Sequence, residues 1–409
     1  MTRETQCCIA GGGPAGMMLG FLLARAGVDV VVLEKHADFL RDFRGDTIHP
    51  STLELMYELG LLEDFLQRPH QELRELSAQV GQDTLKLADF THLPTRCKFL
   101  AFMPQWDFLN FLVDHGKRYP GFQVEMQAEV ADLIEDSGHI VGVVAKTPNG
   151  RMEIRAPLTV GSDGRNSIVR ERAGLEVIDL DAPMDVLWMR LSHRHGDPGQ
   201  SLGHADAGKI FVMIDREDYW QCGFVIPKGS ADELRQRSIE QFRAEIVSLE
   251  PCFRDRVDEL KDWNDVSLLT VKVDRLRHWS RPGLLCIGDA AHAMSPVGGV
   301  GINLAIQDAV ATANILGAKL AAGGTVSDAD LRAVQRRREF PTRATQRLQV
   351  FVQNQVIRKV LSSSERLALP LPLKLMRRWP FLRRIPARLI GIGFRPEHVQ
   401  TPAAFTKPS

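Results

Sequence analysis

The chain has 409 residues, more than one ordinary hydrophobic core holds, and this length predicts two packed domains with a terminal extension. Acidic and basic residues balance at 51 each, so the chain as a whole offers no strong electrostatic field for nucleic acid. Six cysteines without a CxxC pair exclude a disulfide scaffold; they predict reduced thiols in the cytoplasm and no metal site.

The first long uncharged stretch runs from residue 7 to residue 24. Its 18 residues match the length of a signal sequence or of a short membrane span. Five glycines and Pro14 interrupt it, so a buried strand at 7–10, a tight turn and a helix to about Ala26 explain it better. Residues 28–33 form a second buried strand, and the continuous hydrophobicity of both strands predicts a βαβ unit in a parallel sheet.

Two helices and a meander follow in the sequence. One helix opens at His49 and stops at Gly60, and another covers residues 106–115. Residues 123–160 alternate polar and apolar side chains between glycine-containing turns, which predicts an antiparallel meander.

A second β-rich stretch covers residues 186–273 and differs in character from the N-terminal unit. Its candidate strands are 186–191, 210–214 and 220–226. A buried strand at 284–287 and a long helix at about 301–320 come after it. The sequence therefore predicts an α/β fold in which a separate sheet packs against a nucleotide-binding domain.

Residues 11–16 read GGGPAG and fit GxGxxG between the first strand and helix. Gly11 permits the turn, Gly13 lets the backbone approach a pyrophosphate, and Gly16 lets helix and strand pack closely. Glu34 follows Gly11 by 23 positions at the end of the second strand, where it can accept both adenosine ribose hydroxyls. The pattern predicts dinucleotide binding but leaves NAD and FAD both open.

Two later segments decide between these cofactors. Residues 160–170, VGSDGRNSIVR, end a strand in an Asp-Gly turn, and residues 286–292, CIGDAAH, end another in Gly-Asp. With these motifs in order, residues 5–345 resemble the group A flavoprotein monooxygenases, the family of para-hydroxybenzoate hydroxylase and the ubiquinone-biosynthesis hydroxylases. The resemblance implies FAD, in a Rossmann-like FAD-binding domain with an interleaved β-sheet substrate domain and an α-helical C-terminal region.

The resemblance also implies domain boundaries. We expect a discontinuous FAD-binding domain in residues 1–70, 95–180 and 275–345, a β-rich substrate domain in residues 71–94 and 181–274, and a helical, basic extension in residues 346–409.

Roles for cofactor-binding residues follow from the same resemblance. The first motif holds the ADP half of FAD, the Asp163-Gly164 segment supports the pyrophosphate region and the passing nicotinamide, and Asp289 hydrogen-bonds a ribityl hydroxyl. Arg44 looks like the family's arginine near the pyrophosphate, with a surface salt bridge as the alternative. Gln105 looks like its ribityl-contacting glutamine, with an ordinary helix start as the alternative. The predicted cofactor-binding residues are Gly11, Gly13, Ala15, Gly16, Glu34, Lys35, Arg44, Gln105, Asp163, Asp289, Pro296, Gly301, Ile302 and Asn303.

Residues 295–303, SPVGGVGIN, resemble the family loop beside the isoalloxazine ring. Backbone N–H groups of Gly301, Ile302 and Asn303 at a helix N-terminus can stabilise negative charge at the flavin N1/C2 edge. Pro296 would lie at the ring face. These four residues are the predicted catalytic environment, and no side chain is assigned as acid or base.

Three histidines lie near the expected flavin. His292 follows Asp289 on a strand-to-helix turn, where a structural hydrogen-bonding role is favoured over acid–base catalysis. His36 and His49 receive no catalytic role.

Enzymes that this chain resembles reduce FAD with NADPH or NADH, form the flavin C4a-hydroperoxide with O2 and hydroxylate an aromatic substrate. No second Rossmann fingerprint occurs, as expected where the nicotinamide docks transiently. The substrate is expected between the flavin and strands such as 187–191 and 220–226. Tyr57, Tyr119 and Tyr219 do not match the tyrosines that hydroxybenzoate enzymes use, so an aromatic or polycyclic, rather apolar substrate is favoured.

Two other functions within the same fold were weighed. Flavin-dependent halogenases carry WxWxIP, whereas residues 222–227 read CGFVIP, which disfavours halogenation. Prenyl or lipid double-bond reductases share the FAD motifs and remain an alternative. A non-catalytic FAD-binding redox module is a third, against which the intact loop at 296–303 argues.

The tail between Arg358 and Arg395 holds ten Lys or Arg residues and one acid, Glu365, interleaved with apolar residues. Such a segment can lie on an anionic bilayer. It can also pack as a helix across the FAD domain with its arginines in water, and its four prolines favour that interpretation. We expect a cytoplasmic protein with a small-molecule substrate and no nucleic acid partner, and leave open peripheral contact at the inner membrane surface.

Overall fold

The computed structural model describes residues 2–40, 47–197, 202–216, 218–363 and 371–404. This part of the chain forms 12 α-helices and 22 strands. The helices are α1 (Pro14–Arg25), α2 (Pro50–Glu58), α3 (Leu62–Leu66), α4 (Gln105–Gly116), α5 (Ile168–Arg172), α6 (Ala231–Arg235), α7 (Ile239–Leu249), α8 (Gly301–Ala321), α9 (Asp328–Val352), α10 (Arg358–Leu361), α11 (Leu371–Arg378) and α12 (Arg384–Gly391). The strands are β1 (Thr2–Glu4), β2 (Cys7–Ala10), β3 (Val30–Glu34), β4 (Thr47–Ile48), β5 (Gln71–Leu73), β6 (Glu75–Val80), β7 (Asp83–Asp89), β8 (Leu100–Phe102), β9 (Phe122–Met126), β10 (Glu129–Asp136), β11 (His139–Thr147), β12 (Gly150–Arg155), β13 (Leu158–Gly161), β14 (Val177–Asp179), β15 (Met184–Ser192), β16 (Leu202–Asp206), β17 (Lys209–Asp215), β18 (Tyr219–Pro227), β19 (Ser267–Leu269), β20 (Asp274–Leu276), β21 (Ser280–Arg281) and β22 (Leu284–Cys286).

A six-stranded sheet in the order β21-β22-β13-β2-β3-β9 forms the centre of the molecule. Every neighbouring pair is parallel except β21 and β22. Every side chain of β2 and β13 is buried, as a parallel sheet covered on both faces requires. Helix α1 packs against this sheet, helix α8 packs against α1, and both helices are largely buried. The predicted N-terminal βαβ unit is therefore present.

The predicted meander over residues 123–160 is wrong at both of its ends. Strands β10, β11 and β12 are antiparallel, but β9 pairs in parallel with β3, and β13 pairs in parallel with β2. The sequence of a short strand does not show whether its partner runs parallel or antiparallel to it. Side chains alternate between the two faces with a period of two residues in both kinds of sheet.

A seven-stranded sheet in the order β19-β15-β18-β17-β16-β6-β7 forms the second layer. The candidate strands at 186–191, 210–214 and 220–226 correspond to β15, β17 and β18. Between β18 and β19 the stretch also contains α6, α7 and short 3₁₀ turns, which the sequence pattern did not predict. Helix α7 turns Phe242 and Ile246 towards the sheet and covers one of its faces.

The C-terminal region is helical. Helix α9 spans 25 residues and leads to α10, and α11 and α12 follow after residue 370. Pro372 and Pro386 lie within the first three residues of α11 and α12, where the missing N–H is tolerated. Among the described residues, no helix has the length and hydrophobicity that crossing a membrane requires. The predicted fold class, a Rossmann-like domain with an interleaved β-sheet and a helical C-terminal region, is confirmed.

Candidate cofactor site and active site

The residues expected to bind a cofactor follow the carboxyl ends of four parallel strands. In the register of the sheet, Ala10 lies opposite Leu33 on one side and Gly161 on the other, and Gly161 lies opposite Cys286. The glycine turn, Glu34, the Asp163 turn and the Asp289 turn therefore share one edge of the sheet. In open α/β sheets this edge is where ligands bind.

The glycine turn brings two backbones into contact. Gly11 has a φ of +104°, and a Cβ on it would lie 2.5 Å from the Ser162 carbonyl oxygen. A Cβ on Gly16 would lie 2.0 Å from the carbonyl oxygen of Gly11, so helix α1 approaches the turn as closely as glycine allows. Ser162 fixes the contact by donating its hydroxyl to the carbonyls of Ala10 and Gly11. These glycines have the packing roles that the sequence motif predicts.

Gly13 differs from these glycines because it faces open space. No atom lies within 4 Å of a Cβ built on it. It is the N-cap of α1, no side chain among the described residues caps this helix, and its first turn holds no acidic residue. Backbone N–H groups at such a helix start are a site for a phosphate or pyrophosphate.

Glu34 lies at the end of β3 with its carboxylate turned towards the glycine turn. It accepts the backbone N–H groups of Gly12 at 3.1 Å and of His36 at 3.0 Å. The neighbouring Lys35 is exposed, and Ala15 is buried in the first turn of α1, 3.1 Å from the Cβ position of Gly288. The carboxylate is thereby held beside the turn, where an adenosine ribose would lie.

Asp163 structures its own turn. Its carboxylate accepts the Ser167 hydroxyl and the Val169 N–H, at the start of α5. Burial raises the pKa of the Asp163 carboxyl, although hydrogen bonds from the same turn oppose the shift. The side chain therefore shapes the loop and leaves ligand contacts to the loop's backbone and to Arg165.

Asp289 lies in a 3₁₀ turn after β22 with its side chain 30% exposed. Arg165, from the Asp163 loop, faces it at 3.4 Å. The Nη1 atom of Arg165 is buried and has no hydrogen-bond partner among the described residues. An unsatisfied guanidinium nitrogen beside a half-exposed carboxylate marks a place where a polar ligand group is missing.

Gly288 and Asp289 are held in place by a buried charge network that the sequence analysis missed. Asp308 of α8 is fully buried and accepts the Gly288 N–H at 3.1 Å. It also accepts His292 Nε2 at 2.6 Å and Arg338 Nε at 2.9 Å. Burial by itself would raise the pKa of the Asp308 carboxyl, but the facing His292 and Arg338 outweigh it and lower the pKa.

The network extends from the Asp289 turn to the C-terminal segment. Arg338 of α9 is 1% exposed and also binds Glu397, which is 4% exposed. His292 has the structural hydrogen-bonding role predicted for it. The available signal in the sequence was a single acidic residue, Asp308, in a mostly apolar helix, but its partners His292 and Arg338 lie 16 positions before it and 30 positions after it.

Residues 295–303, here called the flavin loop, connect the Asp289 turn to helix α8. Pro296 precedes a 3₁₀ turn, and Gly298 and Gly299 have φ of +80° and +63°, which favour glycine. Helix α8 begins at Gly301 without a side-chain cap among the described residues. Its first-turn N–H groups, from Gly301, Ile302 and Asn303, are thus available to an anionic edge of a ligand.

Asn303 is fixed by the start of helix α2. Its Oδ1 accepts the hydroxyls of Ser51 at 2.9 Å and Thr52 at 2.7 Å, and all three side chains are buried. His49, just before α2, contacts the Ile390 carbonyl through Nδ1 at 2.6 Å and the Gly299 carbonyl through Nε2 at 3.1 Å. Burial lowers the pKa of His49. Helix α2 therefore sets the position of the flavin loop.

Two further residues were predicted to bind the cofactor. Gln105 is the first residue of α4 rather than the residue before it, and its side chain is half-buried. Arg44 lies outside the described residues.

The seven-stranded sheet presents one face to the flavin loop. In its register Val186 pairs with Val225, Trp188 with Gly223, and Val225 also with Ile210. These residues form an apolar cluster with Val297 of the flavin loop. The alternate residues of the same strands, such as Met189 and Trp220, lie on the opposite face beneath α7.

Trp188 is an aromatic side chain on the face beside the flavin loop, here called the inner face. Its ring occupies the space of a missing side chain at Gly223, where a Cβ would lie 3.0 Å from the ring. Glycine at this position thus lets the indole lie across strand β18.

The arrangement fits FAD. The open helix start at Gly13 suits a pyrophosphate, Arg165 offers an unsatisfied nitrogen beside Asp289 further along the edge, and α8 begins without a side-chain cap among the described residues. A parallel sheet with these turns is typical of a dinucleotide-binding flavoprotein.

Comparison with known proteins gives the family. Residues 4–348 match the model of the family described as FAD binding domain. The chain is 34% identical over 349 residues to 6-methylpretetramide 4-monooxygenase of Streptomyces rimosus, covering 85% of this chain and 83% of that protein. It is 25% identical over 343 residues to para-nitrophenol 4-monooxygenase of Pseudomonas sp. strain WBC-3, covering 81% and 82%.

Solved structures agree on the fold. The structure of OxyS anhydrotetracycline hydroxylase from Streptomyces rimosus superposes with a TM-score of 0.70 at 24% identity, over 95% of this chain and 76% of that chain. The chain belongs to the FAD-binding-domain family, within the group A flavoprotein monooxygenases. It is an FAD-dependent aromatic hydroxylase with NAD(P)H and O2 as co-substrates.

Proposed function

We propose that this enzyme hydroxylates a flat, rather apolar polycyclic aromatic compound, bound between the inner face of the seven-stranded sheet and the flavin loop. The observation that carries the proposal is the apolar cluster of Val186, Trp188, Ile210 and Val225 against Val297. An aromatic side chain among aliphatic ones suits a ring system by stacking and by burial. The similarity to a 6-methylpretetramide monooxygenase supports the same substrate class.

The chemistry is divided between cofactor and protein. When bound, FAD takes electrons from NAD(P)H and activates O2 for transfer of one oxygen atom to the substrate. The start of α1 at Gly13 binds the pyrophosphate, Glu34 binds the ribose, and Asp289 orients the ribityl chain. The first-turn N–H groups of α8 stabilise negative charge at the flavin edge, because they are fixed before reaction and face no capping side chain.

The inner face orients the substrate and excludes water. The flavin loop and residues at the ends of α9 and α10, such as Val350 and Leu361, close over this face. None of the three tyrosines matches a phenol-activating residue: Tyr57 lies under Arg96, Tyr119 packs on Phe21, and Tyr219 receives a hydrogen bond from Arg190. We therefore place no tyrosine in proton transfer.

We also propose that the FAD-binding part and the β-rich part act as two domains with the boundaries expected from the sequence. The seven-stranded sheet supports this division, since its strands come from residues 75–89 and 184–269. Peripheral contact of the C-terminal segment with a membrane is proposed as well, supported by its basic composition and by the apolar character of the substrate class.

The experiment is substrate-stimulated oxygenation by the purified protein with FAD. Polycyclic phenols, small hydroxybenzoates and a prenyl lipid are offered with NADPH or NADH under ¹⁸O2, and products are analysed by mass spectrometry. We expect one ¹⁸O atom in a polycyclic product and little turnover of hydroxybenzoate. Incorporation into hydroxybenzoate alone contradicts the substrate class, and reduction of a double bond without ¹⁸O favours the lipid reductase instead.

A further inference from the structure

Exposed apolar side chains are concentrated at the C-terminal helices. Leu371, Trp379, Phe381 and Ile385 are 68%, 48%, 60% and 58% exposed. They are four of the twelve large hydrophobic residues that are exposed in the described part of the chain, and they lie within residues 371–385. We call these four residues the C-terminal patch. Scattered surface hydrophobes need no explanation, but a cluster of them marks an interaction site.

The charged residues of the segment that carries the patch are all basic. Residues 371–396 contain seven basic residues and no acidic one. The nearest acidic groups on the elements packed beneath belong to β7: Asp83 pairs with Arg377 at 3.3 Å, and Asp89 faces Arg384 and His92. The basic residues of the segment are Lys374, Arg377, Arg378, Arg383, Arg384, Arg388 and Arg395.

The segment is fixed to the protein through its other side. Ala387 and Gly391 of α12 are buried, and a Cβ on Gly391 would lie 2.7 Å from a methyl group of Leu93. The carbonyl of Ile390 is contacted by His49. The exposed apolar residues are therefore the outer surface of a docked element, and packing and exposure lie on opposite sides of it.

We infer that the C-terminal patch docks on the surface of an anionic lipid bilayer. Trp379, Phe381 and Ile385 would enter the headgroup region while the basic side chains lie among anionic headgroups. A segment of one sign matches the uniform negative charge of a lipid surface. This deepens the proposed membrane contact by naming the lipid class and the residues.

The C-terminal patch lies on a segment that is connected to the flavin loop. His49 joins the Ile390 carbonyl of α12 to the Gly299 carbonyl of the flavin loop. Helix α12, whose outer side carries Ile385, is thus one side chain away from the loop beside the active site.

The test is cosedimentation of the FAD-loaded full chain with vesicles. We expect binding to phosphatidylglycerol/phosphatidylcholine vesicles, weakening as salt screens the charges, and little binding to phosphatidylcholine alone. Lys374→Glu with Arg378→Glu reverses two exposed cations that have no acidic partner among the described residues. It should weaken partitioning by roughly thirtyfold or more, at about fivefold per basic residue. Trp379→Ser with Phe381→Ser should weaken binding to the same vesicles.

Matched controls lie on helix α9. Phe351 is 62% exposed, so Phe351→Ser is the control for the change at Phe381. The double change Arg332→Glu and Arg336→Glu reverses two exposed cations on the same helix. Both controls should bind vesicles as the wild type does, and circular dichroism with FAD content confirms that each variant is folded.

Three outcomes overturn the inference. They are no binding to anionic vesicles, equal binding to neutral ones, or loss of binding only in the α9 variants. Retention on immobilised polyglutamate without vesicle binding would assign the patch to an acidic protein instead. Substrate-stimulated NADPH oxidation in vesicle-free buffer tests the hydroxylase separately, so failure of one proposal is distinguishable from failure of the other.

Discussion

At the scale of single residues, two glycines of one turn have opposite requirements. Gly16 packs against the Gly11 carbonyl, whereas Gly13 faces open space at the helix start. The first therefore serves the fold and the second serves the ligand.

Replacing Gly13 by valine should separate FAD binding from folding. Its φ of −73° suits any L residue and its Cβ position is free, so the unfolding free energy of the apoprotein should change by no more than about 0.5 kcal/mol. Valine would fill the space that a pyrophosphate needs. The variant should purify colourless with unchanged circular dichroism. Gly16→Ala is the contrast, with an expected loss of about 1–3 kcal/mol of stability. A yellow Gly13→Val protein would contradict the assigned pyrophosphate site.

Trp188 and Trp220 provide a second contrast between residues. Trp188 lies on the inner face, and the fully buried Trp220 lies on the opposite face. Trp188→Leu should raise KM for the aromatic substrate about tenfold, since an aromatic pair contributes about 0.5–1.5 kcal/mol beyond burial. FAD content should be unchanged. Trp220→Leu should lower stability in urea and leave KM unchanged. Steady-state kinetics with an unaltered KM in the Trp188 variant would place the substrate elsewhere.

At the scale of elements, one histidine couples strand β16 to the end of helix α7. His204 is buried, and its Nδ1 lies 3.0 Å from Oε1 of Glu250. The hydrogen bond to Glu250 raises the pKa of His204, although burial opposes it. Asp206 adds to the effect.

This pair predicts a pH-dependent stability. A raised pKa in the folded state means that the stabilisation is fully present below the unfolded value of 6.5 and is lost as pH rises through the folded pKa. Hydrogen bonds to charged groups contribute about 1.5–3 kcal/mol. Urea unfolding at pH 6 and pH 8.5 should show that wild type loses stability relative to His204→Gln. The unfolding free energy of Glu250→Gln should likewise depend less on pH than that of the wild type. If the unfolding free energies of all three proteins change with pH in parallel, the coupling is disproved.

At the scale of the whole molecule, the Asp308 network joins the cofactor site to the C-terminal segment. Arg338 binds both Asp308 and Glu397 in the interior. Arg337 binds the same Glu397, but its own side chain is 37% exposed.

Removing the buried cation should therefore cost far more than removing the exposed one. Arg338→Met removes the cation that faces the buried carboxylates of Asp308 and Glu397. We expect the free energy of unfolding to fall by about 3–5 kcal/mol. Arg337→Met, the matched control, should cost about 1 kcal/mol or less. Urea denaturation measures both, and FAD retention should fall with Arg338→Met because Asp308 positions the Gly288 turn. Equal effects of the two variants would show that the network does not hold this turn.

The sequence by itself determined the local elements and the cofactor. The GGGPAG turn lies within a few residues, and its role follows from residue type and spacing. The roles of the Asp163 and Asp289 turns and of the loop at 295–303 follow from the resemblance to the family. The strands at 7–10, 210–214 and 220–226 were found for the same reason, because hydrophobic runs and periods are local.

Only the tertiary structure decided which surfaces meet. Strand β18 is buried on both faces along most of its length, so its sequence could not tell the inner face from the face beneath α7. The direction of β9 and β13, the distant partners of Asp308, and the exposed side of α11 and α12 were likewise set by packing between segments far apart in the chain. Periodicity describes one segment at a time, whereas the active-site face and the C-terminal patch exist only where several segments come together.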